Sequence, residues 1–351
     1  MLTKAKLFIP DTDLTRIKIH PSLNIICLIG KRSVIVASSC NGSLELIQRH
    51  LDEDKLENYM CCEFAELKKG CIIVVGGSRG VLKFLNLNTC TFEGYLCGHG
   101  GAITDIKTHF KYKNTIFSAS EDNSIRMWNG ETKKLMAIFG GAAGHKDFVL
   151  SMDISLCGQY LLSSGTDCQV KMWKIPDIEN RRDLIETCYF PIYSTSNIHR
   201  SYITCVKFYG KLIVSKSVNN RISIVRPYLS VEIYDHPKCS YSSFINELVY
   251  FESKFLTKKF EIFADTMIIG SESEKDVIYL TNLNRLQDGI SSICKIKTDC
   301  NKKVRDIAIK NEEVYILFEE SIILFMNIKN KISTKPEQTI FDNNLPTKTS
   351  K

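Results

Sequence analysis

Nowhere in its 351 residues does the chain run apolar for the roughly 18 positions that a membrane-crossing helix requires, so a transmembrane segment is not expected. The start, Met1-Leu2-Thr3-Lys4-Ala5-Lys6, leads into a short strand-like piece rather than the long apolar core of a secretory signal. Two catalytic spellings are missing as well: the phosphate-binding Gly-x4-Gly-Lys loop and the zinc-hydrolase His-Glu-x2-His. Cysteine is plentiful, at 14, but no pair is spaced Cys-x2-Cys, and Cys61 and Cys62 are adjacent. That scatter predicts reduced, mostly buried thiols in an intracellular protein, with neither a metal centre nor a disulfide framework. The formal net charge of +7 is modest, and the lysines are spread along the chain as far as a terminal group of Lys329, Lys331, Lys335, Lys348 and Lys351. This pattern predicts a solvated tail, with no membrane contact and no direct sequence-specific nucleic-acid binding.

What the sequence does have is a repeat, and both of its tryptophans belong to it. Gly98-His99, Ser118, Asp122 and Trp128 recur as Gly144-His145, Ser163, Asp167 and Trp173. The serines, aspartates and tryptophans of the two sets each lie 45 residues apart, and the histidines 46. A Gly-His followed at fixed distance by Asp-x5-Trp marks a β-propeller blade, and both units resemble WD40 repeats. In such a blade the four side chains form a buried hydrogen-bonded chain, which assigns His99, Ser118, Asp122, Trp128, His145, Ser163, Asp167 and Trp173 to structure. A Ser-His-Asp set also invites a hydrolase reading, but recurrence at a fixed period opposes it.

Weaker copies extend the pattern in both directions. Val34–Ala37 with Ser43–Ile47 reads as the second and third strands of a first blade, with Ile47 in the tryptophan place. Cys71–Val75 with Val81–Leu85 reads as a second blade, and Lys211–Ser215 leading to Val225, preceded by His199, as a fifth. Met267–Ser271 with Val277–Leu280, and Val314–Phe318 with Ile322–Phe325, supply a sixth and a seventh. Ser215 keeps the strand serine and His199 the blade-opening histidine. The expected fold is therefore all-β, a seven-bladed WD40 β-propeller over residues 1–327 with rim insertions at about 176–197 and 227–263. A basic tail follows at 328–351. The first insertion, around Ile178–Glu186, is expected to form one short helix.

Three stretches go beyond the general WD40 pattern and resemble the Polycomb proteins of the Extra sex combs or EED family. They are Ala137–Ser151, with Gly140-Gly141 ahead of Gly144-His145; Phe190–Val206, which reads FPxxSTxxIHRxYxxCV; and Gly77–Gly80 with Gly98–Gly100. The resemblance is strong from about 71 to 225 and thins on both sides. It implies a nuclear, non-catalytic core subunit of Polycomb repressive complex 2, a chromatin complex that represses transcription. One propeller face would hold a helical segment of the SET-domain histone methyltransferase subunit, alongside other Polycomb subunits. The other would read a trimethylated histone lysine in an aromatic cage, because ring faces attract a quaternary ammonium. Carried onto this chain, the cage falls near Leu23, Met60, Lys254 and Phe255. Tyr59 stands one place early, and Arg305 matches a peptide-face arginine. Of the four cage positions only Phe255 is aromatic, and Lys254 would repel a cation. No catalytic, cofactor-binding or metal-binding residue is expected. The alternative is a generic WD40 interaction adaptor, such as a ubiquitin-ligase substrate receptor or another nuclear scaffold, since the fold alone does not fix function.

Overall fold

The computed structural model describes residues 4–40, 43–179, 184–219, 221–228, 242–249, 259–271, 274–284, 293–298 and 300–328. Among these, strands assemble into seven separate antiparallel-built sheets, the blades of a β-propeller. The inner strands, in order of blades 1 to 7, are Leu14–Ile19, Tyr59–Leu67, Ile103–Thr108, Val149–Ile154, Ile203–Tyr209, Glu261–Phe263 and Val304–Lys310.

Both faces of each blade are apolar, which explains why so many strands read as unbroken hydrophobic runs instead of alternating ones. In the second strand of blade 2, Ile72 and Val74 pack toward blade 3 while Ile73 and Val75 pack toward blade 1. Side chains of a strand point to alternate faces, so a run such as CIIVV feeds two interfaces at once. Seven apolar clusters result, one between each pair of neighbouring blades. The cluster between blades 7 and 1, built on Leu28, Ile35, Tyr315 and Phe325, closes the ring. Closure is also made by hydrogen bonding: Lys4–Phe8, from the start of the chain, is the outer strand of blade 7, paired with Ile322–Asn327. Where the chain crosses from one blade to the next it passes close to the end of a second strand. A Cβ on Gly77 would lie 2.1 Å from the Asn58 carbonyl oxygen, and one on Gly165 2.1 Å from that of Phe148.

Two local expectations are corrected. In blade 1, Ser33–Cys40 and Ser43–Leu51 are the third and fourth strands, and the second is Ile25–Gly30. Ile47, placed in a buried tryptophan position by sequence, lies on the outer strand and is 54% exposed. The short helix expected around 178–186 is not formed by its described residues: 178 and 179 make a bend, and Glu186–Cys188 is a strand paired in parallel with Lys134–Phe139 of blade 3. One helical turn has little stability of its own, whereas the outer edge of blade 3 offers unpaired backbone groups. Residues 180–183 lie outside the described residues. The two long intervals carry blade strands: Tyr193–Thr195 is the outer strand of blade 4 and Ser242–Val249 that of blade 5. The expected basic tail lies beyond residue 328, outside the described residues.

Candidate functional site

The repeat residues come together as the spacing predicts. In blade 3, His99 Nδ1 lies 2.7 Å from Asp122 and its Nε2 lies 2.8 Å from Ser118 Oγ, which also accepts the Trp128 indole N–H at 2.8 Å. Blade 4 repeats this with His145, Asp167, Ser163 and Trp173 at 2.9, 2.8 and 2.9 Å. Burial, opposed by the bond to Asp167, lowers the His145 pKa, so the ring is neutral. A neutral ring facing a carboxylate carries its proton on Nδ1, so Nε2 accepts from the serine hydroxyl. These are the bonds of a catalytic triad, yet Ser118 and Ser163 are fully buried and one lone pair is committed to an indole N–H. No substrate can reach either oxygen.

Blade 5 is a partial copy. His199 Nε2 meets Ser215 Oγ at 2.9 Å, but the aspartate place holds exposed Asn219, and His199 Nδ1 is buried with no partner among the described residues. Blade 2 holds an arrangement that sequence reading missed. Arg79 occupies the aspartate place, and buried Glu57 sits at the blade entry. Glu57 accepts the Asn58 N–H, Arg79 pairs with Asp54 at 2.5 Å, and Lys83 reaches Asp52 at 2.6 Å and Glu57 at 3.5 Å. Burial would raise the Asp52 pKa, but the hydrogen bonds from Lys83 and Tyr59 outweigh it and hold the carboxyl low. Gly76–Gly80 has the Gly-x-Ser-x-Gly spelling of a nucleophile elbow; Ser78 Oγ there donates to the Leu56 carbonyl and accepts the Asn58 N–H, which makes it a turn-binding hydroxyl.

The inner strands run side by side around the axis, and their bonds define two opposite end faces. At their starts, Arg305 Nη1 donates to the Leu14 carbonyl at 2.7 Å and ion-pairs with Asp13, and Arg16 Nε donates to the Met60 carbonyl at 3.3 Å. At their far ends, Lys310 Nζ donates to the Leu23 carbonyl at 2.7 Å. Met60 and Arg305 therefore share one face, and Leu23 lies on the other. Leu23 is excluded from any cage built around Met60. Tyr59 is removed as well: its side chain is buried, and its hydroxyl donates to Asp52. Lys254 and Phe255 lie outside the described residues.

Between the faces, side chains of all seven inner strands line an axial cavity, among them Arg16, Lys18, Lys107, Lys207 and Lys259. Acids on these strands also stitch neighbouring blades. Asp306 accepts the Ile17 N–H at 3.0 Å, Asp105 that of Met152 at 2.8 Å and Asp153 that of Phe208 at 2.8 Å. The sequence carries a faint signal for this lining: charged residues two apart, as in Arg16 and Lys18, Asp105 and Lys107, or Lys259 and Glu261, in otherwise apolar strands.

The WD domain, G-beta repeat family matches residues 89–129 and 134–174. The chain is 29% identical to the Polycomb protein esc of Drosophila melanogaster over 263 residues, covering 69% of this chain and 62% of that protein. To the Polycomb protein esc of Musca domestica it is 33% identical over 230 residues, covering 57% and 54%. The chain thus spans less than two thirds of the length of these relatives. In fold it is similar to a chain in the structure of ctPRC2 with H3K27me3 and H3K27M, with a TM-score of 0.78 at 16% identity, covering 92% of this chain and 96% of that one. Its blade geometry and these likenesses agree on one description: the chain is a WD40-repeat β-propeller that resembles the Polycomb esc proteins, the Extra sex combs or EED family to which its motifs pointed.

Proposed function

We propose that the protein is the non-catalytic scaffold and regulatory subunit of a nuclear Polycomb repressive complex 2-like histone lysine methyltransferase. The observation that carries this reading is the similarity to esc over 263 residues. The propeller supplies a suitable architecture: two end faces on opposite sides of a closed ring. One face would grip a helical segment of the SET-domain subunit and the other a histone tail, so that occupancy of one changes affinity at the other through the shared rigid body. The tail would lie on the face that carries Met60 and Arg305. The ctPRC2 structure, which holds H3K27me3, supports assigning the methylated tail to this role.

Purification of the full chain from its own nuclei under mild salt should recover a SET-domain protein in near-stoichiometric amount. Recovery of ubiquitin-ligase components in its place would overturn the proposal in favour of an adaptor. A separate titration with methylated and unmethylated histone peptides tests the sensing role. A preference under about twofold, or about 0.4 kcal/mol, would mean a scaffold without a working cage.

A further inference from the structure

The axial cavity has chemistry that a scaffold role does not use. Its five basic side chains come from blades 1, 3, 5 and 6. Four of them are matched by carboxylates: Lys18 with Glu63 at 3.2 Å, Lys207 with Glu261 at 2.5 Å, Lys259 with Asp105 at 2.7 Å, and Arg16 with Asp306 at 3.8 Å. Lys107 has no carboxylate within ion-pair distance among the described residues. The other acid nearby is Asp153, and its Oδ2 is already engaged by the Phe208 N–H.

The remaining negative charge is weakened further. Burial raises the pKa of Asp153 against the pull of Lys207 and Lys107, and burial raises that of Asp306 against Arg16. Both carboxyls thus move toward their neutral forms. Burial alone would lower Lys18, but Glu63, Glu261 and Asp105 hold it charged. The cavity is small, about 30 Å³, which suits about two or three waters or one compact ion rather than a length of peptide.

We propose that the channel binds one compact oxyanion of the phosphate type, held by Lys107 Nζ and flanked by the ammonium groups of Lys259, Lys207 and Lys18. Charge-assisted bonds to oxyanions are among the stronger ones available in a partly dry cavity. Such an ion would also tie blades 1 and 5 to blades 3 and 6, which the Lys259–Asp105 pair already joins across the axis.

The test is calorimetric titration of the full-length chain with inorganic phosphate, with chloride at matched ionic strength as the reference. The expected result is saturable binding at one site per chain. Lys107→Met should weaken it about tenfold or more, Lys107→Arg should retain it, and Lys134→Met, at an exposed strand position, should leave it unchanged. Circular dichroism of each variant separates lost binding from lost folding. A phosphoserine peptide titrated in parallel distinguishes a free ion from a phosphorylated side chain: Lys107-dependent binding tighter than that of phosphate assigns the latter source. Absence of saturable binding to either probe, or binding that Lys107→Met leaves intact in a folded protein, overturns the proposal.

Discussion

Ser163 Oγ is shared by two buried donors and acceptors, His145 and Trp173, whereas Ser215 Oγ serves His199 without any tryptophan. Removing a hydroxyl leaves its partners buried and unsatisfied, at about 1–3 kcal/mol for each group. Ser163→Ala should therefore cost about 3 kcal/mol in urea unfolding and Ser215→Ala about 1 kcal/mol. Equal losses would show that the indole bond contributes little. The histidines make a second residue-level prediction. Burial, with the charge of Arg221 and against the bond to Ser215, pushes His199 down to about 4, and burial also lowers His20, His109 and His145. A depressed histidine favours the neutral form in the fold, so its contribution is complete above the unfolded value near 6.5 and disappears as pH falls toward 4. Asp122 and Asp167 are held low, burial being outweighed by their histidines, so their contribution is lost only at more acid pH. Stability should consequently decline between pH 6.5 and 4, and His199→Gln should remove about 2 kcal/mol of that decline by pH 5. An unchanged pH profile in that variant would place the acid sensitivity elsewhere.

Blade 2 shows that a blade can keep its shape while replacing the chemistry that fixes it. Glu57, Asp52, Lys83 and Arg79 stand where blades 3 and 4 use histidine, aspartate and serine, and Leu85 fills the tryptophan place with a fully buried apolar side chain. Lys83 is the member that neutralises two buried acids. Lys83→Met should lower stability by about 2 kcal/mol, less than a fully buried pair would lose because the lysine is partly exposed. Adding Glu57→Gln should recover part of that loss, since it removes one of the stranded charges. A double variant no more stable than Lys83→Met would refute the coupling. The same blade explains what sequence could and could not tell. Blades 3 and 4 were legible because their tryptophans and aspartates act as rulers. Blade 2 kept its strands legible through apolar runs, but its polar network was hidden because the partners changed type. Blade 1 was displaced by one strand because Ala37 and Leu44 carry no ruler, and Ser43–Leu51 is apolar enough to pass for an inner strand. Of the candidate histone-face residues, Met60 and Arg305 lie at the same end of the inner strands, whereas the Tyr59 side chain is buried. Tyr59 reads as an exposed aromatic until Asp52 is seen beneath it, and the charged residues that line the channel come from five blades, scattered in sequence from Arg16 to Asp306.

At the scale of the whole ring, stability depends on a joint between the two ends of the described chain. Lys4–Phe8 contributes five paired positions along Ile322–Met326, while Ala5 and Leu7 pack on the cluster between blades 7 and 1. Every other described blade takes its outer strand from nearby sequence, so blade 7 alone requires a contact more than 300 residues long in sequence, as in Phe8 with Ile322. Such pairing forms late, because loop-closure entropy must be overcome first. Deleting residues 1–8 should leave six blades with native pairing but expose the edge of Ile322–Asn327 and part of the Tyr315–Phe325 cluster. The expected outcome is a lower and broader urea transition, with hydrogen exchange accelerated first in residues 304–327. A synthetic peptide of residues 1–9 supplied in trans should restore protection there, because the edge it docks on is intact. Exchange spread evenly over all seven blades would mean instead that the ring opens as one unit, and that closure is carried by the apolar interfaces rather than by this strand.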